Sequence, residues 1–299
     1  KVPGWKPEMV NQFRQDDIYV EMTFLRTLEQ HGFDVSIRQA GIDFANSGYR
    51  LWHANVNGRN NLRNGIAPPD SGHPEFTPCP DDIDYQIEAD YSGLIAPGMT
   101  NIPIQLGETF GRLMNYGDGL YAGQFVGALY AEAFFEKDVK KIIQTALKAI
   151  PPESLYAEMV RDVLAWHQEN PNSWESAWQK TQDKYFLNQD YFRVNCATTT
   201  ESHRTDFSID AKLNGAYILI GLLYGNGDID DTIVISMRCG QDSDCNPSNA
   251  AGVLCTTMGR EALPQKYTEA LKNDIKFSYT EYDFPGLLDV CEKLAKQAL

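Results

Sequence analysis

Four short segments of this chain gather carboxylates more densely than a solvated helix face requires. They are Gln15-Asp16-Asp17, Asp81-Asp82-Ile83-Asp84, Asp228-Ile229-Asp230-Asp231 and Asp242-Ser243-Asp244-Cys245-Asn246. The third reads as the opening of a helix, where acidic side chains complement the positive end of the macrodipole. The last says more about chemistry. A Gly240-Gln241 turn leads into aspartates at i and i+2, then Asn246 as the expected N-cap and Pro247 at the first helical position, with a small-residue helix behind. Two carboxylates on a tight turn ahead of a helix, flanked by apolar sequence, point to a hard cation. An EF-hand loop also begins D-x-D-x-N, but it needs Gly at its sixth position and Glu at its twelfth. Pro247 and Val253 stand there, so that reading fails.

Asp16 and Asp17 precede a segment in which Ile18, Met22, Leu25 and Leu28 form an apolar face. Taken alone they could serve as dipole complements. Their weight comes from the second pair, because carboxylates that converge cannot all ionise unless cations compensate them. Two divalent ions about 3.5–4 Å apart would balance four such charges. Oxygen donors select Mg²⁺, Mn²⁺ or Ca²⁺ over zinc. His53 and His73 read as structural or surface residues, and no phosphate-binding Gly-rich loop, G-x-S-x-G or H-E-x-x-H pattern occurs.

The elements that must position these groups read as helices. Val139, Ile142, Ile143, Ala146, Leu147 and Ile150 form one apolar stripe, ended by Pro151-Pro152. Tyr156, Met159, Val160, Val163 and Leu164 form a second, and Leu287, Cys291, Leu294, Ala295 and Ala298 a third. Further helices are expected near 16–30, 36–50, 103–114, 119–136, 173–185, 211–225, 228–238, 247–260 and 264–275. Only YFRVNC near Tyr191 alternates weakly like a strand, so the fold class is all-α. Two long irregular stretches, 57–81 and 188–210, exceed the usual loop length and are candidates for function. No repeat or composition shift divides the chain, so residues 1–299 read as a single domain.

A net charge of -15, from 26 Lys plus Arg against 41 Asp plus Glu, with no basic run, argues against nucleic acid and anionic membranes as partners. The longest apolar run, Ala216 to Tyr224, is too short to span a bilayer. Six cysteines without a C-x-x-C pair argue against a thiolate zinc site and a dense disulfide scaffold. The chain begins Lys-Val-Pro-Gly-Trp, without Met or a signal pattern, and reads as processed, truncated or cut from a longer chain. The expected protein is soluble and cytoplasmic, with a secreted or periplasmic origin left open by that start. No oligomeric state is indicated.

At these residues the chain resembles the ADP-ribosylglycohydrolase family, which includes the dinitrogenase reductase-activating glycohydrolase. In that family an early T-D-D-T-x-M-T segment and a late G-G-D-T-D-T segment hold a binuclear Mg²⁺ site, sometimes Mn²⁺. Gln15 to Thr23 matches the first and Gly240 to Cys245 the second, about 225 residues apart. The resemblance implies a compact orthogonal multi-helix bundle with long active-site loops. It makes Asp16, Asp17, Asp242 and Asp244 the metal carboxylates, with Gln15 and Cys245 standing where the family has Thr. Cysteine is a soft ligand, so either Cys245 does not coordinate or the site prefers a softer ion. The family's substrate loop falls near Asp82-Ile83-Asp84-Tyr85, and its ribose and adenine contacts near Asn115-Tyr116-Gly117-Asp118. Members usually begin with a Gly-rich helix and an acidic loop. Only fifteen residues precede Asp16 here, and Glu8 and Glu21 are the nearest substitutes for a carboxylate from that segment.

The activity implied is metal-dependent hydrolysis of a glycosidic bond at an ADP-ribosyl group, on a protein side chain or a small molecule, releasing ADP-ribose. Asp82 and Asp84 are the candidates for acid and base, from their place in the middle acidic loop. Tyr85, Tyr116, Gly117 and Asp118 are the candidates for substrate contact. A second reading is an inactive, metal-dependent ADP-ribose-binding module. A third, an all-α prenyl-diphosphate enzyme, would need a second N-D-x-x-S-x-x-x-E motif, and the chain has none.

Overall fold

The computed structural model describes residues 15–188, 191 and 208–299, with Lys6 and Met9 besides. In chain order the α-helices among them are α1 (Asp16–His31), α2 (Ile37–Ala45), α3 (His53–Arg63), α4 (Asp84–Ile87), α5 (Asp90–Leu94), α6 (Asn101–Phe110), α7 (Asp118–Ala133), α8 (Val139–Ala146), α9 (Leu155–Glu169), α10 (Trp174–Thr181), α11 (Ala211–Tyr224), α12 (Ile229–Arg238), α13 (Cys245–Met258) and α14 (Phe284–Ala298). The described residues contain no strand, only an isolated antiparallel bridge between Asp82 and Asp210, so the all-α expectation holds. The expected YFRVNC strand lies outside the described residues except for Tyr191, as does most of the 188–210 stretch.

Helix α11 sits at the centre of the packing. Every one of its 14 residues is buried, including Lys212 and Asn214, which fits a helix that is apolar on nearly all sides. It packs against α7, α9, α12 and α13. Its N-cap, Asp210, accepts from the backbone N–H of Lys212 at 2.8 Å and of Leu213 at 3.3 Å. The Lys212 ammonium lies 2.9 Å from Asp210 and 3.9 Å from Asp118, so the buried cation is paired.

Apolar residues of α7 to α9 and α11 to α13 form one hydrophobic cluster. A second joins α1, α2 and α6 with Leu294 of α14, and Tyr121 of α7 touches both. Helices α5 and α7 approach closely: a Cβ on Gly93 would lie 2.1 Å from the Gly127 carbonyl oxygen.

Several boundaries differ from those expected. Helix α2 stops at Ala45 rather than continuing to 50, and the chain turns so that Tyr49 and Leu51 can enter the core. Helix α3 occupies the front of the stretch read as irregular from Asn57. No helix spans 264–275, which holds only a short 3₁₀ turn at Gln265–Tyr267. Lys266 and Tyr267 both reach Asp230 at the start of α12, fixing that segment by its polar groups instead of by an apolar face. Cys79 is disulfide-bonded, whereas Cys239, Cys245, Cys255 and Cys291 are free thiols. No helix among the described residues is long and apolar enough to cross a membrane.

Candidate metal centre

The early and late acidic motifs meet. Asp16 and Asp17 form the first turn of α1, while Asp242 and Asp244 lie on the turn that leads into α13. Cys245 Sγ donates to Asp17 Oδ2 at 3.1 Å across 228 residues of sequence. One ligand atom each from Asp242, Asp244 and Cys245 falls within a 4.8 Å span. The late turn is anchored from beneath by Asn214 of α11, whose Oδ1 accepts from the Asp242 backbone N–H at 3.2 Å and from Asn246 Nδ2 at 2.8 Å. Asn246 is therefore not the helix cap expected from the sequence. The helix begins one residue before it, at Cys245, and Asp244 occupies the cap position without a side-chain capping bond. That leaves the Asp244 carboxylate outside the helix's own hydrogen bonding. Gln15 also precedes its helix without capping it, and its side chain is exposed.

Burial pushes the Asp17 carboxyl up to about 6 and the Asp242 carboxyl up to about 8. The neighbouring charges add to both shifts, Asp16 and Asp244 acting on Asp17, and Asp244 and Asp17 on Asp242. Asp16 is raised in the same direction, chiefly by burial with Asp244 contributing. No Lys or Arg among the described residues forms an ion pair with any of the four, and the buried Asp242 Oδ2 has no hydrogen-bond partner. A cluster of partly desolvated oxygens without a compensating cation suits a hard divalent ion. Cys245 differs: burial and the facing carboxylates hold it as a neutral thiol, and it acts as a donor to Asp17.

The middle acidic segment meets the N-terminus of α3. Asp82 Oδ2 accepts from the Ala54 N–H at 2.8 Å, and Asp84 Oδ2 accepts from the Asn55 N–H at 2.6 Å. Both satisfy backbone donors that a helix start leaves open. Asp82 also accepts, at Oδ1, from its own loop at Asp84 N (3.1 Å) and from Asn115 Nδ2 (2.9 Å). Fully buried and so engaged, it is a tie between loops. The segment is stitched to the front of α11 by Ile83 N to Ile209 O and Ala211 N to Asp81 O, each 3.0 Å. Asp84 differs in that its other oxygen lies outside these bonds, and its carboxyl is raised by burial and then by Asp82, Asp16 and Asp17. It borders the early acidic pair.

Two residues that the sequence reading missed belong to the same wall. Glu88 is fully buried, accepts from Asn55 Nδ2, and keeps Oε2 without a hydrogen-bond partner. The charges of Asp84, Asp17 and Asp16 all act on it. The i, i+4 spacing of Asp84 and Glu88 was a usable signal; nothing in the sequence marked Asn55. Glu21, one turn after Asp17 on α1, lies behind them and faces Asp90, Asp17 and Glu88.

The expected substrate contacts separate. Tyr85 is a core residue with no exposed surface, pressed against Gly111 and Gly123, and cannot face a substrate. Asp118 takes the Tyr156 N–H at 3.0 Å and lies 3.9 Å from Lys212, a structural position in the first turn of α7. Gly117 has φ of 53°, which favours glycine, and a Cβ there would approach Asp81 Oδ1 at 3.3 Å. Tyr116 remains partly open between His73, at 4.9 Å in an edge contact, and the Arg112 guanidinium.

A comparison with curated proteins finds no match to the chain. Comparison with protein families does: the model described as ADP-ribosylglycohydrolase matches residues 6–298.

Proposed function

The chain belongs to the ADP-ribosylglycohydrolase family, and from that premise we propose that it hydrolyses the glycosidic bond of an ADP-ribosyl group. The observation that carries the proposal is the junction of the two distant acidic motifs at the Asp17–Cys245 contact, beside the Asp242 Oδ2 that is buried without a hydrogen-bond partner. Asp16, Asp17, Asp242 and Asp244 would hold two divalent cations, Mg²⁺ or Mn²⁺, with the Gln15 amide oxygen as a further donor. When bound, such a pair supplies Lewis acidity and orients substrate hydroxyls. Cys245 contributes as a thiol that orients Asp17 rather than as a ligand.

Asp84 is the residue best placed to take the proton of the attacking water. Its Oδ2 is fixed by the Asn55 N–H, which leaves Oδ1 for that proton. Asp82 then serves as a positioning residue, fixing the loop and the start of α3 on which Asp84 depends. Tyr116 and the Gly117 backbone are proposed to contact the ribose; Tyr85 and Asp118 are not.

The test is an assay for ADP-ribose release from ADP-ribosylated arginine, serine and guanidine compounds with Mg²⁺ or Mn²⁺, beside calorimetry with ADP-ribose. Release that chelation abolishes is the expected result. Tight binding of ADP-ribose without release from any substrate would identify a binding module instead.

A further inference from the structure

The donors at the junction of the acidic motifs are of two chemical kinds, and the mixture bears on which ion can bind there. Cys245, Asp242 and Asp244 each bring one ligand atom within a 4.8 Å span, and Asp17 Oδ2, 3.1 Å from the Cys245 sulfur, adds a fourth from α1. No other three His, Cys, Asp or Glu donors among the described residues gather as closely. Ligand atoms held about 2.0–2.3 Å from a tetrahedral zinc ion lie roughly 3.5 Å from one another, so modest side-chain rotations close this set on a single ion. A second observation also points to a ligand: Asp242 Oδ2 is buried and no donor reaches it.

The place of Cys245 in the fold suits a metal-bound sulfur. It is the first residue of α13, and the cap residue before it, Asp244, makes no side-chain capping bond. The unanswered backbone N–H groups of a helix start favour a thiolate over a thiol. Without an ion, burial and the facing carboxylates of Asp17, Asp242 and Asp244 outweigh that effect and keep the sulfur protonated. A bound divalent cation reverses the sign of the local field: the sulfur–metal bond forms and the thiol proton passes to solvent. Once sulfur is a donor, the set no longer favours Mg²⁺, which prefers oxygen, and instead favours a thiophilic ion. Asp244 is exposed, which leaves the ion a way in from water.

We propose that Cys245, with Asp17, Asp242 and Asp244, forms a site for one thiophilic divalent cation, Zn²⁺ or Cd²⁺, which excludes Mg²⁺ and Mn²⁺ from the same carboxylates. Four protein donors leave such an ion no open position, so it holds the centre closed. The inference rests on the convergence of the acidic motifs proposed above as a metal centre, and not on hydrolysis. Ultraviolet titration with Cd²⁺ reads the site without substrate, through the thiolate-to-cadmium charge-transfer band, in the wild type and in Cys245→Ser, Cys255→Ser and Cys291→Ser. The band is expected in the wild type and in the Cys255 and Cys291 variants, and is expected to vanish in Cys245→Ser. By calorimetry, Cys245→Ser should bind Zn²⁺ at least roughly 10- to 100-fold more weakly, the loss that follows removal of even an outer-shell partner, while Mn²⁺ binding persists. In the zinc-loaded wild type the heat of Mn²⁺ binding should disappear. A band retained in Cys245→Ser would overturn the proposal, as would equal Zn²⁺ affinity in that variant and the wild type. Undiminished Mn²⁺ binding by the zinc-loaded protein would overturn it too, with no variant involved. A wild type that binds neither Cd²⁺ nor Mn²⁺ would overturn this site and the metal centre together, whereas a failure to release ADP-ribose with the metal results intact would overturn the hydrolase reading alone.

Discussion

Asp82 and Asp84 stand two positions apart, and both cap the same helix, yet their surroundings give them different work. Asp82 is closed in by donors from Ala54, Asp84 and Asn115. Replacing it by Ala strands those buried donors and should cost about 3 kcal/mol of stability, read as a lower melting temperature. Asp84 spends one oxygen on Asn55, and the charges of Asp16 and Asp17 act on its carboxyl. Asp84→Asn keeps an acceptor for the Asn55 N–H, so the fold and metal affinity should survive while turnover falls by about a hundredfold or more. A near-normal rate in that variant would remove Asp84 from the chemistry. From the sequence the two aspartates were equivalent, because neighbouring residue types carry no record of which backbone amides will face them.

Among the elements, the crossing of α5 and α7 leaves the least room. Gly93 abuts the Gly127 carbonyl, a backbone atom that cannot swing aside. Gly93→Ala should therefore separate the helices and destabilise the protein by about 1–3 kcal/mol, measurable by denaturant unfolding; an unchanged midpoint would contradict that packing. The long helices were legible because their apolar stripes and end signals agree: α8 and α9 begin at Asp138 and Ser154 caps and stop near prolines. Helices α4 and α5, of four and five residues, were not, since α4 is fixed by the bond from Asn55 of α3 to Asp84 and α5 by its close packing on α7. The reverse error at 264–275 has the same root. Its composition suits a helix, but it lacks an apolar face to bury, and contacts to Asp230 decide its path. The ordered pair of acidic motifs was legible for a different reason, namely that ligand types at a turn are a local signal. The Asn214 anchor and Asn55 were hidden because they matter only once α11 and α3 have been brought to the site.

For the whole molecule, the raised carboxyls make stability depend on pH and on cations. Asp17 and Asp242 rise from 3.8 to about 6 and about 8 in the fold. Between roughly pH 4 and 8 the folded chain then binds more protons than the unfolded one, so stability falls as pH rises through that window. In chelator the melting temperature should drop across this range. Saturating Mg²⁺ or Mn²⁺ should flatten the drop and raise the melting temperature near neutrality, because an ion that binds only the folded state stabilises it. A flat profile in chelator, or no response to either ion, would refute a converging carboxylate centre. The contact between Asp17 and Cys245 also sets an order of events during synthesis. With 228 residues between its halves, the late turn leaves the ribosome on the order of ten to fifty seconds after the early pair. Through that interval the nascent chain carries only half of the carboxylate cluster, so the proposed capture of an ion has to wait until the late turn has been made and has packed against the start of α1.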